Sequence, residues 1–296
     1  MKRNMIISAS SLNTFGSCER MFNFGTIMSL SPKNQNEKSD KMIKGSLMHK
    51  LLELHYTLKF INVELGEIII KVMDFGRFYG QSKFPTLSEE NIENVVRTYK
   101  EYALHYKFEN YIVDNYSGKP AVEIPFAKVL FEDDEIRLIV EGIIDFLGSN
   151  NSASVVMDHK TGTSEPYLLD NQFQLYACVA DKEYVIVNRI LFGEKVNSPY
   201  KFQRVAYKYS DEMKKSFINA IITKAKRIDT SFRKGYFEPN FSACRNYNHP
   251  CAFYEICTQE EKYWPAVIST SFEEKEPFNP MKDKESIEDV VKAMSV

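Results

Sequence analysis

The sequence has no obvious membrane signal. No apolar run reaches the roughly 18 residues that span a bilayer, and Met1-Lys2-Arg3 is not followed by the apolar core of a signal peptide. It also has no surplus of charge. With 38 basic and 40 acidic side chains the formal charge is −2, a sum that excludes no partner because distribution matters more than total. Nor does it have an even set of cysteines: Cys18, Cys178, Cys244, Cys251 and Cys257 are five, poor material for disulfides in a reducing compartment. These absences point to a soluble cytoplasmic protein with no membrane partner. What is present excludes wholesale disorder. Of 296 residues 44% are apolar, with 21 Phe and 17 Tyr, enough for one large domain or two small ones.

The first part of the chain reads as helical, over about 8–110. Ser8 or Ser10 can cap a helix over 8–28 in which Leu12, Phe15, Cys18 and Phe22 recur at helical spacing. The polar stretch Ser31–Asp40 is a loop. Leu47, Leu51, Leu54 and Leu58 stripe a second helix over about 45–58, and further helices are expected at 61–80 and 89–110, with Pro85 between them. After Pro120 the texture becomes that of strands. Val122, Ile124 and Phe126 alternate with Glu123 and Pro125, and the β-branched runs 135–147 and 153–160 are joined by turn formers. A helix at 167–181 and strands at 184–192 and 201–208 complete a sheet core over about 120–209, a mixed sheet with helices packed on it. A basic helix covers 211–234. Residues 258–296, with nine acidic and five basic side chains, read as an acidic mobile tail with a short helix at 284–294.

The chemistry concentrates at Asp145 and at Asp158-His159-Lys160-Thr161-Gly162. Side chains two apart on a strand share a face, so Asp158 and Lys160 project together while His159 points away. Asp145, at the end of the preceding strand, can approach Asp158. Two neighbouring carboxylates repel unless a divalent cation lies between them, and hard oxygen ligands suit Mg²⁺ or Mn²⁺. Taken alone, D-x-K also describes an exposed ion pair at a sheet edge. His49 alone reads as a core or boundary histidine, and Gln172 with Tyr176 as ordinary packing residues.

Read together and in order, these residues resemble the RecB-type branch of the PD-(D/E)XK nuclease superfamily. The parts are Gly45/His49 on a helix, Gly142/Asp145, Asp158/Lys160/Thr161/Gly162 at a strand end, and Gln172/Tyr176 four apart on a helix. Ser8 to Cys18 is similar to that branch's S-x-S-x-L-x-x-F-x-x-C opening, and the likeness spans about 8–257. It implies an α/β restriction-endonuclease-like core with a helical N-terminal insertion, and a metal bound by His49, Asp145, Asp158 and the backbone carbonyl of His159. It further implies that Lys160 serves the nucleophilic water, with Gln172 and Tyr176 lining the site or the DNA path. His159 departs from the pattern, since relatives carry an apolar or aromatic residue there, and a buried imidazole needs a partner.

Some members of that branch, among them the AddB subunit and CRISPR adaptation nucleases, hold a 4Fe–4S cluster on one N-terminal and three C-terminal cysteines. Cys18 with Cys244, Cys251 and Cys257 resembles this set, although the Cys244–Cys251 gap is long. Four thiolates also suit Zn²⁺. Such a staple over 241–257 would close the domain 1–257, leaving Cys178 as a buried free thiol. From Lys195 to Lys234 eleven basic residues face three acidic ones, a net +8, with Tyr200, Phe202, Tyr207 and Tyr209 interleaved. That is the pattern of a DNA groove, or equally of a solvated face whose aromatics point to the core. The expectation is a metal-dependent DNA exonuclease working on ends in recombination, repair or phage DNA processing, with a recombination or helicase partner. The rival is a non-catalytic DNA-binding or scaffold subunit that keeps the fold.

Overall fold

A computed structural model describes residues 2–33, 39–162, 167–193, 200–246 and 249–282. The chain divides into two compact units, one gathering Met1–Glu37, Ala127–Gly142 and Lys215–Asp283, the other Lys38–Phe126 and Ile143–Lys214.

The second unit carries the expected core. Three helices come first: α1 (Asp40–Phe60), α2 (Leu65–Lys83) and α3 (Glu89–His105). Ser39 and Ser88 cap α1 and α3 by accepting from the amides of Met42 and Asn91. Strands β1 (Val122–Glu132) and β2 (Ile136–Ser149) enter the unit in part. They are followed by β3 (Ser154–Lys160), α4 (Asn171–Val179), β4 (Tyr184–Ile190) and β5 (Phe202–Lys208). Strand β3 is antiparallel to β2, with Phe146 opposite Met157, and parallel to β4, with His159 opposite Asn188. Strand β5 runs antiparallel to β4, with Arg204 opposite Asn188. The sheet is therefore mixed.

Alternation along β3 sorts its side chains between two layers. Val155 and Met157 join Leu51, Phe75, Val96 and Tyr99 under the three helices. Val156 packs on the other side with Phe173, Tyr176 and Ala177 of α4. By the same period of two, Asp158 and Lys160 lie on the α4 side and His159 on the three-helix side. At about 25 cal/mol per Å² of buried apolar surface, these two layers are the main source of the unit's stability.

The first unit corrects two expectations. The helix over 8–28 is not continuous: it runs Ala9–Ser17, breaks at Cys18, and resumes as Glu19–Phe22 and a π-type turn Asn23–Ile27. Cys18 is extended (φ −163°); its N–H donates to Thr14 O while its own carbonyl accepts from Phe22 N–H. Residues after 258 are not a free tail through 282. Helix Trp264–Ser271 leads into strand Phe272–Glu274, which pairs antiparallel with Leu30–Pro32. Phe24, Leu30, Phe253, Ile256 and Phe272 form a core of their own there; the acidic count of 258–296 hides the uncharged run 263–272 that packs on it. The helix expected at 284–294 lies outside the described residues. No described helix is long and apolar enough to cross a membrane.

Candidate active site

The strand register does the first positioning. With Phe146 opposite Met157, Asp145 stands beside Asp158 across the β2–β3 pair. Both are buried, at 7% and 1% exposure. Asp145 Oδ2 accepts the His159 backbone N–H at 2.6 Å. His49, from the middle of α1, brings Nδ1 to 3.6 Å from Asp145 Oδ2 and 3.6 Å from Glu123 Oε1. Among the described residues, His49, Glu123 and Asp145 form the one group of three or more His, Cys, Asp or Glu whose ligand atoms all lie within 4.8 Å of one another.

Glu123 is the residue that sequence reading missed. Its alternation with Val122 and Ile124 marks it as a strand residue facing away from the core. Its backbone, however, is left-handed (φ +49°) inside β1, an uncommon conformation for a side-chain-bearing residue, of the kind that clusters at functional sites. Nothing in residue type or spacing signals that turn.

Lys160 lies 2.9 Å from Asp158 Oδ2 and donates to Gln172 Oε1 at 2.7 Å. Gln172 Nε2 donates to the Tyr176 hydroxyl at 2.9 Å, which in turn donates to Ile143 O at 2.5 Å. Asp170 caps α4 through the Gln172 amide at 2.8 Å, which fixes the start of this relay. The i, i+4 pair on α4 thus reaches the strand end, as the sequence spacing suggested.

Gly45 has a steric task. A Cβ there would stand 2.8 Å from Thr161 Oγ1, so glycine lets α1 close on the turn after β3. An open cleft of about 470 Å³ is lined by Lys41, Gly45, Ser46, His49, Glu123 and Thr161, among others.

The electrostatics are those of a crowded anionic site. Burial raises the Asp145 pKa, with Asp158 and Glu123 adding to it against His49, to about 7. Asp158 is raised by burial in spite of Lys160. Burial alone would lower the His49 pKa, but Asp145, Glu123 and Asp158 overcome it and raise it to about 9. Lys160 is likewise raised, Asp158 and Asp145 outweighing its burial. Asp158 Oδ1 has no hydrogen-bond partner among the described residues, and Oδ2 faces the Lys160 ammonium at 2.9 Å. Buried carboxylates crowded together, beside an imidazole nitrogen, are an oxygen-rich set that fits a hard divalent cation. Of the four expected ligands, the structure brings His49 and Asp145 together and adds Glu123. Asp158 lies alongside, bound to Lys160. The His159 ring lies on the three-helix side, edge-on to the His49 ring with centroids 5.9 Å apart, while its backbone N–H reaches Asp145.

In the first unit, Cys18, Cys244, Cys251 and Cys257 line one recess with Met21 and Phe253. Asn240 N–H donates to Cys18 Sγ at 3.3 Å and Phe253 N–H to Cys251 Sγ at 3.5 Å. Burial raises the Cys257 thiol to about 11 despite Arg20. No three of these sulfurs fall within 4.8 Å of one another among the described residues. A single tetrahedral zinc with Zn–S of about 2.3 Å needs a tighter set, whereas a polynuclear cluster suits a wider one. Cys178 is half-buried, its Sγ 3.8 Å from Lys214 O.

The basic stretch changes its meaning. Lys201 pairs with Glu101, Arg204 with Glu109, Lys208 with Glu183, Lys214 with Asp181, Lys226 with Asp133, Arg227 with Glu19 and Arg233 with Asp229. Asp229 already stands in the local count, but the other six acids come from outside the stretch, so most of its +8 is neutralised in a way a local count cannot see. Phe202 and Tyr209 are buried, Tyr207 stacks on Phe173, and Tyr200 is exposed. Lys195 lies outside the described residues.

The sequence model of the PD-(D/E)XK nuclease superfamily matches residues 6–258. No curated protein matches the chain. Among solved structures, the chain is similar to that of SSO0001, at 18% identity and a TM-score of 0.33, covering 73% of this chain and 96% of that one. It is also similar to a protein from Eubacterium rectale named as a presumed exonuclease, at 10% identity and a TM-score of 0.40, covering 86% and 94%.

Proposed function

As the chain belongs to the PD-(D/E)XK nuclease superfamily, we propose that it is a divalent-metal-dependent deoxyribonuclease of the RecB type that degrades DNA from an end. The observation that carries this is the meeting of two buried carboxylates, Asp145 and Asp158, with Lys160 clamped between Asp158 and Gln172.

His49, Glu123, Asp145 and Asp158 would hold Mg²⁺ or Mn²⁺, which when bound supplies Lewis-acid activation of the phosphodiester and of water. Lys160 remains protonated, its pKa raised by its carboxylate neighbours against burial. It is therefore a donor rather than a base: it orients the attacking water and stabilises charge growing on phosphate oxygens. Gln172, itself bonded to the Tyr176 hydroxyl, holds its ammonium in place. The cysteine recess supports a 4Fe–4S cluster on Cys18, Cys244, Cys251 and Cys257 as a staple of the first unit, with zinc the alternative.

The test is cleavage of end-labelled single- and double-stranded DNA under anaerobic conditions, with Mg²⁺ or Mn²⁺. Asp158→Ala and Lys160→Ala are expected to lower turnover by about 10²-fold or more while folding normally. Undiminished cleavage by either purified variant would overturn the assignment. DNA binding without cleavage by the unaltered protein would favour a non-catalytic scaffold.

A further inference from the structure

His159 occupies the position between the two residues of the Asp158/Lys160 pair, and its ring is spent on something other than ligation. It is buried at 2% exposure on the three-helix side of the sheet. Its Nδ1 lies 2.7 Å from Asn188 Nδ2, directly across the β3–β4 register. The same Asn188 nitrogen donates to the Tyr102 hydroxyl at 3.0 Å, and Asn188 Oδ1 faces Arg204 Nε at 3.4 Å. An arginine can only donate, so this last contact fixes which end of the amide is which, and His159 Nδ1 must accept. Its proton then sits on Nε2, which has no partner among the described residues.

Beyond Asn188 the network is anchored on all sides. Arg204 reaches the Tyr102 hydroxyl at 2.9 Å and Glu109 at 2.6 Å, and Glu109 is held in turn by Lys59 at 2.6 Å. The Tyr56 hydroxyl, 2.9 Å from that of Tyr102, completes the set, and its ring lies parallel to that of His159 with centroids 5.9 Å apart. Three adjacent strands therefore present His159, Asn188 and Arg204 in one row, pinned by tyrosines from α1 and α3. The front of the same residue does different work, since the His159 backbone N–H grips Asp145 Oδ2 at 2.6 Å.

We propose that Asn188 is a positioning residue: by holding the His159 ring from behind the sheet, it fixes the peptide whose N–H sets the orientation of the Asp145 carboxylate, and so tunes divalent-cation affinity. This rests on the reading of the site as a metal-dependent nuclease. A polar network satisfied on most of its members rigidifies what it touches, and outer partners of metal ligands matter for affinity by about 10- to 100-fold.

The test uses the full-length protein with Mn²⁺ alone as probe, its dissociation constant measured by calorimetry without DNA and compared with the Mn²⁺ dependence of cleavage. Asn188→Leu, which keeps the volume and removes the amide, is expected to weaken Mn²⁺ binding by about tenfold while turnover at saturating Mn²⁺ falls less than threefold. The double variant Asn188→Leu/His159→Phe leaves no orphaned imidazole nitrogen and is expected to recover binding to within about threefold. Tyr102→Phe, which takes away one hydroxyl from the row, gives a milder loss and serves if the leucine variant does not fold. Unchanged Mn²⁺ affinity in folded Asn188→Leu and Tyr102→Phe, whatever their melting temperatures, would overturn the proposal. Failure of the unaltered protein to bind Mn²⁺ or cleave DNA would instead overturn the functional reading beneath it.

Discussion

At the scale of single residues, the site is a competition between protons and a cation. Burial raises Asp145 to about 7, and the carboxylates around His49 raise it to about 9 against its burial, so both draw protons near neutrality. A bound cation must displace those protons, so affinity should climb with pH and level off once both are gone. Mn²⁺ titrations at pH 6.5, 7.5 and 8.5 should show Kd falling by up to about tenfold per pH unit for each proton released. The rise should flatten above about 9, where His49 is already neutral. A flat profile across that range would mean that His49 is not a ligand. Glu123 shows what residue type cannot convey: its left-handed backbone, and not its place in an alternating strand, turns it toward His49.

At the scale of elements, spacing along strand and helix anticipates which side chains share a face. Gln172 and Tyr176 are four apart on a helix; Gln172 meets Lys160, and Tyr176 meets Gln172. Asp158 and Lys160 share a strand face, and β2, β3, β4 and β5 fall close to the runs of β-branched residues. What was not legible is pairing across distance. Neither the Asn188 partner of His159 nor the acids that neutralise Lys201, Arg204 and Lys226 can be found from local pattern, because each contact joins segments far apart in the chain. The approach of α1 to the turn after β3 shows how close such contacts are. Gly45→Ala should push Thr161 aside, since the added carbon would meet its hydroxyl at 2.8 Å. Cleavage should fall by about tenfold, a barrier change of about 1.4 kcal/mol. Gly45→Ala combined with Thr161→Gly should restore most of that rate. Loss that persists in the double variant would show that Gly45 acts through the helix itself.

At the scale of the whole molecule, the sequence foretold the mixed sheet and its helices but not the division into two compact units, nor the packed segment after residue 258. Trp264 and Phe272 lie in an uncharged run there, flanked on both sides by charged residues, and pack on the core around Phe253 and Ile256. The first unit gathers its cysteines from both ends of the numbering. If they hold a 4Fe–4S cluster, protein purified without oxygen should be brown, with broad absorbance near about 400 nm. Cys18→Ser and Cys257→Ser should each bleach it and lower the melting temperature, whereas Cys178→Ser should do neither. A colourless protein that contains stoichiometric zinc would decide for the alternative.

The bend at Cys18 has a consequence for the order in which the protein is made. Its thiol shares a recess with thiols that leave the ribosome more than two hundred residues later, and strand Leu30–Pro32 waits for Phe272–Glu274. The second unit, by contrast, has both its helices and its strands in hand once residue 214 has emerged. Since units fold during synthesis as their segments emerge, the second unit should form first on the nascent chain. The segments at Cys18 and Leu30–Pro32, though translated earlier, would be among the last parts to find their place.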